Sequence, residues 1–256
     1  MRICYLVPGP MGRTPEGRAE MERRATLLRH YTGPDTQVGI VDVPEGPASI
    51  ESMYEEYLSI PAAVRRAVEL QAEGWDALIL GCFGDPGLDA LRELVEIPVV
   101  GPGEATALVA ASLGHRFSII TITESVVPGT ERQIRNVGLG EKLASVRVVG
   151  IPVLELHRDR ARTVEAVVQV GRRALEEDRA DTLVLGCMSM GFLEIAEEVA
   201  PVLGVPVLNP GKVALKFAEA LVGAGLSHSR RAYMTPPKLA AGKVASPLEL
   251  LHAHGG

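Results

Sequence analysis

Residues 78–88 read LILGCFGDPGL and residues 183–193 read LVLGCMSMGFL. Each begins as a short aliphatic run, passes through Leu-Gly and reaches a cysteine, Cys82 in the first and Cys187 in the second. Short aliphatic runs of this kind read as strands buried on both faces, the habit of parallel sheets. The two strings belong to a longer repeat. GWDALILGC (74–82) matches RADTLVLGC (179–187) at an offset of 105 residues, and an Arg-Arg-Ala helix precedes each, at 65–67 and 172–174. Downstream, PVVGPG (98–103) matches PVLNPG (206–211) at an offset of 108, so the second half carries a three-residue insertion. A unit this long exceeds the roughly 20–50 residues of solenoid repeats and describes two similar α/β halves facing each other.

The rest of the chain fits that frame. RICYLV, QVGIVDV, DALIL, IPVV, FSIITI, VRVVG, DTLVLG and VPVLN read as eight strands, with helical patterns between them at 62–73, 86–95, 103–113, 160–177, 190–203 and 211–223. Strand-helix alternation implies α/β architecture with right-handed crossovers. Pro61 is expected to begin a fresh helix, because proline lacks the N–H that a helix interior needs.

Composition excludes several classes of function. Of 256 residues, 46% are hydrophobic and only 4% aromatic, so aliphatic side chains fill the core. A net charge of −6 leaves no basic footprint for nucleic acid or acidic lipid. The one basic cluster, HSRRAY (228–233), reads as a solvated terminus, and HAHGG (252–256) as a frayed tail. No run approaches the ~18 apolar residues of a membrane span, and ICYLV is too short for a signal-peptide core. Three cysteines without a C-x-x-C pair argue against a disulfide framework or a structural zinc site, and no metal site is expected.

In open parallel sheets ligands bind beyond the C-terminal ends of the strands. Cys82 and Cys187 stand at that end in each half, so facing halves would present one thiol from each side of a shared cleft. Two acid-base groups on opposite faces of a small molecule suit inversion of a carbon centre, in which one removes a proton and the other delivers one. Cys4, inside the first strand, reads as inert core. Asp85, with Pro86 at the first helical position, and Ser189 are expected to cap the helices that follow the cysteines, and those helix N-termini would favour a thiolate. The Asp85 carboxylate opposes ionisation of Cys82, while neutral Ser189 leaves Cys187 free to ionise, so Cys187 is the expected resting thiolate. Phe83, Met188 and Met190 would give the site apolar walls, with Gly84 beside them.

The strings GCFGDPGLDALRE, IPVVGPGEA, IPVLEL, GCMSM and AEALV followed by AYMTPPK resemble the hydantoin racemase branch of the aspartate/glutamate racemase superfamily, over nearly the whole chain to about residue 238. The resemblance implies two Rossmann-like lobes related by a pseudo-twofold. Residues 1–104 and 209–230 would form the first lobe, 105–208 the second and 231–256 a tail. It also implies a two-base racemase that uses no cofactor, acting through Cys82 and Cys187 on a hydantoin-like ring such as a 5-substituted hydantoin or allantoin. Thr121 and Thr123 are similar in position to family residues that contact substrate. Val7-Pro8-Gly9-Pro10 stands where the family commonly has an Asn-Pro-Asn-Thr type loop, which places the backbone of Gly9 at the site in place of side-chain donors. Ser189 stands where the family often has glycine. The expected partner is a small molecule, with no nucleic acid or membrane, for a homo-oligomeric cytoplasmic enzyme. The alternatives are racemisation or isomerisation of a free amino acid or small dicarboxylic acid, and a two-lobed binding protein without turnover. The first fits less well, since Phe83-Gly84 and Met188-Ser189 replace the Asn-Thr and Thr-His pairs that hold a carboxylate in amino-acid racemases.

Overall fold

A computed structural model describes residues 1–252, without the side chains of 250–252. Strands β1 (Arg2–Val7), β2 (Gln37–Asp42), β3 (Ala77–Leu80) and β4 (Val99–Val100) form one parallel sheet in the order β2-β1-β3-β4. Strands β5 (Phe117–Thr121), β6 (Leu143–Val148), β7 (Thr182–Leu185) and β8 (Val207–Leu208) form a second parallel sheet in the equivalent order β6-β5-β7-β8. The repeat is thus a duplication of topology. All four residues of β3 and of β7 are buried, because each is an inner strand covered by helices on both faces.

Alternation along each strand divides the core into two faces per sheet. In β1, Ile3 and Tyr5 pack with Leu28, Ile79 and Leu215, while Cys4 and Leu6 pack on the other side with Leu70, Leu78 and Leu91. In the second sheet Ile120, Leu183 and Leu185 meet Val167 and Val199, and Ile119 and Val184 meet Phe117, Ile134 and Leu208. Each such side chain contributes about 1.5–3 kcal/mol by leaving water. The helices that cover these faces are α1 (Pro15–Tyr31), α2 (Met53–Ala72), α3 (Leu88–Leu94), α4 (Pro102–Leu113), α5 (Val127–Asn136), α6 (Arg160–Glu177), α7 (Met188–Phe192), α8 (Ala196–Leu203) and α9 (Pro210–Gly223), followed by the short α10 (Pro237–Ala240) and α11 (Pro247–His252). Helix α9 follows the second sheet in the chain yet packs on α1, β1, β3 and β4 of the first, and α4 packs on β7 and α5 of the second.

The aspartate that opens each repeat string has one job in both halves. Asp76 accepts the backbone N–H of Arg2 at 2.7 Å, and Asp181 accepts those of His115 and Arg116 at 2.7 and 3.2 Å, so each pins the start of its cysteine-bearing strand to the neighbouring strand. The Gly-Cys step has a shared cause as well. The N–H of Gly81 reaches Leu6 O at 2.7 Å and that of Gly186 reaches Ile120 O at 2.7 Å, and a Cβ would fall 2.6 Å from Leu6 O or 2.5 Å from Ile119 Cγ2. Only glycine tolerates that approach.

Three local expectations are corrected. Pro61 lies inside α2; the carbonyl it leaves unpaired belongs to Tyr57, an exposed residue, so water can satisfy it. The helical stretch 190–203 is broken into α7 and α8 by Glu194, held at φ +54° with its carboxylate accepting the Tyr31 hydroxyl at 3.0 Å. HSRRAY is docked rather than solvated. Arg230 donates to the carbonyls of Arg92 and Glu93 at 3.0 and 3.2 Å, His228 Nε2 lies 2.9 Å from Val95 O, and Tyr233 OH accepts from Arg92 at 3.0 Å, so this segment satisfies the open C-terminal carbonyls of α3. Most of HAHGG, residues 253–256, lies outside the described residues. No helix among the described residues is long and apolar enough to cross a membrane.

Candidate active site

Strands β3 and β7 are followed at once by Gly81-Cys82 and Gly186-Cys187, and both cysteines line one cavity of about 600 Å³. The cavity is closed on one side by residues 47–53, from the connection between β2 and α2. Glu51 in that connection bonds across to the second sheet's elements. Its carboxylate accepts the N–H of Val153 at 3.2 Å and its carbonyl accepts the Ser125 hydroxyl.

Around Cys82 the chain turns tightly. Asp85 sits at φ +52°, its N–H donates to Cys82 O at 3.2 Å, and the N–H of Leu88 donates to Asp85 O at 3.2 Å. Asp85 therefore does not cap its own helix, as expected from Pro86; α3 begins at Leu88 behind a left-handed Gly87. Its carboxylate instead reaches the first turn of α4, accepting the N–H groups of Gly103 at 3.0 Å and Glu104 at 2.8 Å, with Gln133 Nε2 at 2.9 Å. Burial nevertheless pushes the Asp85 carboxyl up to about 7, against the pull of those donors.

Cys187 is the N-cap residue of α7 and makes no side-chain cap hydrogen bond, but the nearby backbone N–H groups of Ser189 and Met190 favour its thiolate. Ser189 is not a cap either. Its hydroxyl accepts from Arg24 Nη2 at 3.0 Å. Arg24 is a buried guanidinium from α1, paired with Glu20 at 2.7 Å and stacked 4.8 Å from the Phe192 ring. Burial raises both thiols. At Cys82 the Gly84 N–H works against that rise, while the Glu56 and Asp85 carboxylates add to it. At Cys187 the two N–H groups and Arg24 all favour the thiolate.

The remaining expected site residues fall in different places. Gly9, Phe83, Gly84, Thr121 and Met188 line the cavity. A Cβ on Gly9 would lie 2.5 Å from Pro47 O, so this position seats the covering loop. Thr121 donates to Gly186 O at 3.2 Å, fixing the strand end that carries Cys187. Thr123 is turned away toward Ser125, 3.0 Å distant, and does not line the cavity. Met190 is fully buried in the second sheet's core, because adjacent residues of α7 point in different directions and only Met188 and Ser189 face the cleft. Cys4 is in the first sheet's core, its thiol pushed up to about 12 by burial.

Among the cavity residues that the sequence did not single out are Arg24, Glu56 and Gln133. They arrive on helices α1, α2 and α5, whose patterns carry no sign of which polar residue will face inward. Among the described residues no three His, Cys, Asp or Glu side chains converge as metal ligands do.

The family model for Asp/Glu/Hydantoin racemases matches residues 17–218. The chain belongs to that family. It is 38% identical over 205 residues to a hydantoin racemase of Pseudomonas sp. (strain NS671), covering 80% of this chain and 82% of the relative. Among solved structures it is similar to an allantoin racemase from Pseudomonas fluorescens, with a TM-score of 0.85 and 34% identity over 93% of this chain and 97% of that one. An allantoin racemase from Klebsiella pneumoniae superposes with a TM-score of 0.85 at 29% identity, over 93% of this chain and 94% of that one.

Proposed function

We propose that this member of the racemase family inverts the C5 carbon of a hydantoin-like ring by a two-base reaction between Cys187 and Cys82, with no cofactor. The observation that carries the reading is the convergence of two cysteines, from equivalent strand ends of a duplicated fold, on one cavity. Family membership and the named hydantoin and allantoin racemases support the same chemistry.

The electrostatics favour a direction for the resting enzyme. Cys187, served by two N–H donors and the Arg24 guanidinium, is the thiol that ionises first; Cys82, beside Glu56 and Asp85, keeps its proton longer. The sequence alone offered Asp85 as the opposing charge. Glu56 is the larger influence of the two on Cys82, since Asp85 spends its carboxylate on α4 and Gln133. In the forward step the Cys187 thiolate takes the C5 proton, and the electron pair left on carbon delocalises into the adjacent ring carbonyl. The Cys82 thiol then delivers its proton to the opposite face. Cys187 ends as thiol and Cys82 as thiolate, so the product enantiomer meets the complementary ionisation state.

The test is turnover of single enantiomers of 5-substituted hydantoins and allantoin in deuterium oxide, followed by proton NMR and polarimetry. Inversion with uptake of one solvent deuteron at C5 is expected. Absence of exchange on every ring compound, with exchange into aspartate or glutamate, would overturn the reading.

A further inference from the structure

Glu56 stands in the cavity without a partner. Its side chain comes from α2, is half-buried, and among the described residues receives no hydrogen bond. The nearby cation, Arg132, is exposed and directs Nη2 to Met53 Sδ at 3.4 Å. Room for the carboxylate is built into the cysteine loop. A Cβ on Gly84 would lie 3.2 Å from Glu56 Oε2 and 3.9 Å from Cys82 Sγ, so the bare Gly84 backbone separates the carboxylate from the thiol. The cavity is also far larger than a five-membered ring needs. A partly desolvated carboxylate is costly when unpaired, and the groups that relieve that cost are N–H donors.

We infer that Glu56 reads the substituent on the ring, selecting hydantoins whose C5 group ends in N–H donors over those with an aliphatic or aromatic group. The inference rests on the proposed ring substrate. A substituent on C5, held within reach of Cys82, is adjacent to the Glu56 oxygens, which can accept two parallel N–H bonds from a ureido group or a charged bond from an ammonium. The same carboxylate repels a substituent ending in a carboxylate.

The experiment compares 5-ureidohydantoin, 5-(4-aminobutyl)hydantoin and 5-isobutylhydantoin on wild type, Glu56→Gln and Glu56→Leu, by kcat/KM and, independently of turnover, by calorimetric affinity in the same proteins. Taking the ratio between substrates cancels any effect of the lost charge on Cys82. We expect wild type to prefer one or both N–H-bearing substituents over isobutyl by at least tenfold, with the ureido and aminobutyl arms showing whether a neutral or a cationic donor is read. Glu56→Gln should lower that preference about tenfold or more, and Glu56→Leu, which keeps bulk without an acceptor, should bring isobutyl to parity or above. An unchanged ratio in both variants, or a wild type that binds isobutyl at least as tightly, overturns the inference. Failure of wild type to exchange the C5 proton of any of the three would fall on the proposed reaction instead, and the affinity ratios would still decide the role of Glu56.

Discussion

Cys82 and Cys187 share an address in the fold but not an environment, and the difference lies in single side chains. Replacing either by serine should remove racemisation by at least about 10³-fold while leaving the thermal transition in place, because a hydroxyl ionises far less readily than a thiol and a neutral alcohol is a far weaker base than a thiolate. Cys4→Ser should turn over at close to the wild-type rate, since that thiol is sealed in the core of the first sheet. Initial rates and melting curves on the three variants check both statements. Burial raises both thiols, so in the proposed reaction the thiolate base forms only as pH climbs, and the rising limb of kcat/KM should lie alkaline of the ordinary thiol value of about 8.5. Arg24→Met removes the cation that favours the Cys187 thiolate and should move that limb further alkaline. A limb that stays put would show that Arg24 serves only to hold Ser189. The cysteine motif made the pair of thiols, the inert Cys4 and the asymmetry between Asp85 and Ser189 legible, but not the side chains from elsewhere that act on the thiols. The positions of the thiols follow from local sequence, whereas their neighbours Arg24 and Glu56 come from helices 163 and 26 residues away, and only tertiary packing joins them.

At the scale of the element, the strands were the most readable part of the chain. ALIL and TLVL, fully buried and flanked by the Asp and Gly that pin and terminate them, announce inner parallel strands by composition alone. The helix boundaries were less readable where a side chain outranks local propensity. Pro61 is tolerated because its unmade bond faces the exposed side of α2, and Glu194 ends α7 through a contact with Tyr31 that no window of sequence contains. Asp85 is the instructive case. The string Asp-Pro-Gly reads as a local cap, yet the positive φ of Asp85 swings its carboxylate to α4. The Asp85 carboxyl rises from 3.8 to about 7 on folding, so it favours the folded state most fully below 3.8 and that contribution is lost as pH rises through about 7. Asp85→Asn has no such loss. The melting temperature of the variant should therefore gain on wild type between about pH 4 and pH 7 and level off above that, and a constant difference across that range would refute the assignment.

For the molecule as a whole, the duplication was visible as an offset in the sequence, and the structure resolves it into two sheets of the same strand order. The bridge over the cleft was not visible, because each of its bonds pairs a side chain with a backbone group from a distant element. Glu51 holds the covering connection of the first sheet to Val153 and Ser125 on the other side of the cavity. Glu51→Ala leaves the Ser125 bond to the carbonyl but removes the carboxylate contacts to Val153 and Ser49. It should raise KM about three- to tenfold with a smaller change in kcat, as expected when closure over substrate is weakened. Steady-state kinetics on hydantoins would show the split, and a fall in kcat alone would point to the cysteines instead.

The path of the chain has a consequence for biosynthesis. The second sheet is assembled from one uninterrupted stretch between α4 and β8, whereas the first sheet waits for α9, made after that stretch is complete, to cover β1, β3 and β4. On a ribosome the later half can therefore close while the earlier half still exposes the apolar face formed by Ile3, Tyr5 and Ile79. The N-terminal half is the part of the nascent chain most exposed to chaperones and to aggregation, and the emergence of Ala214, Leu215 and Ala218 ends that exposure.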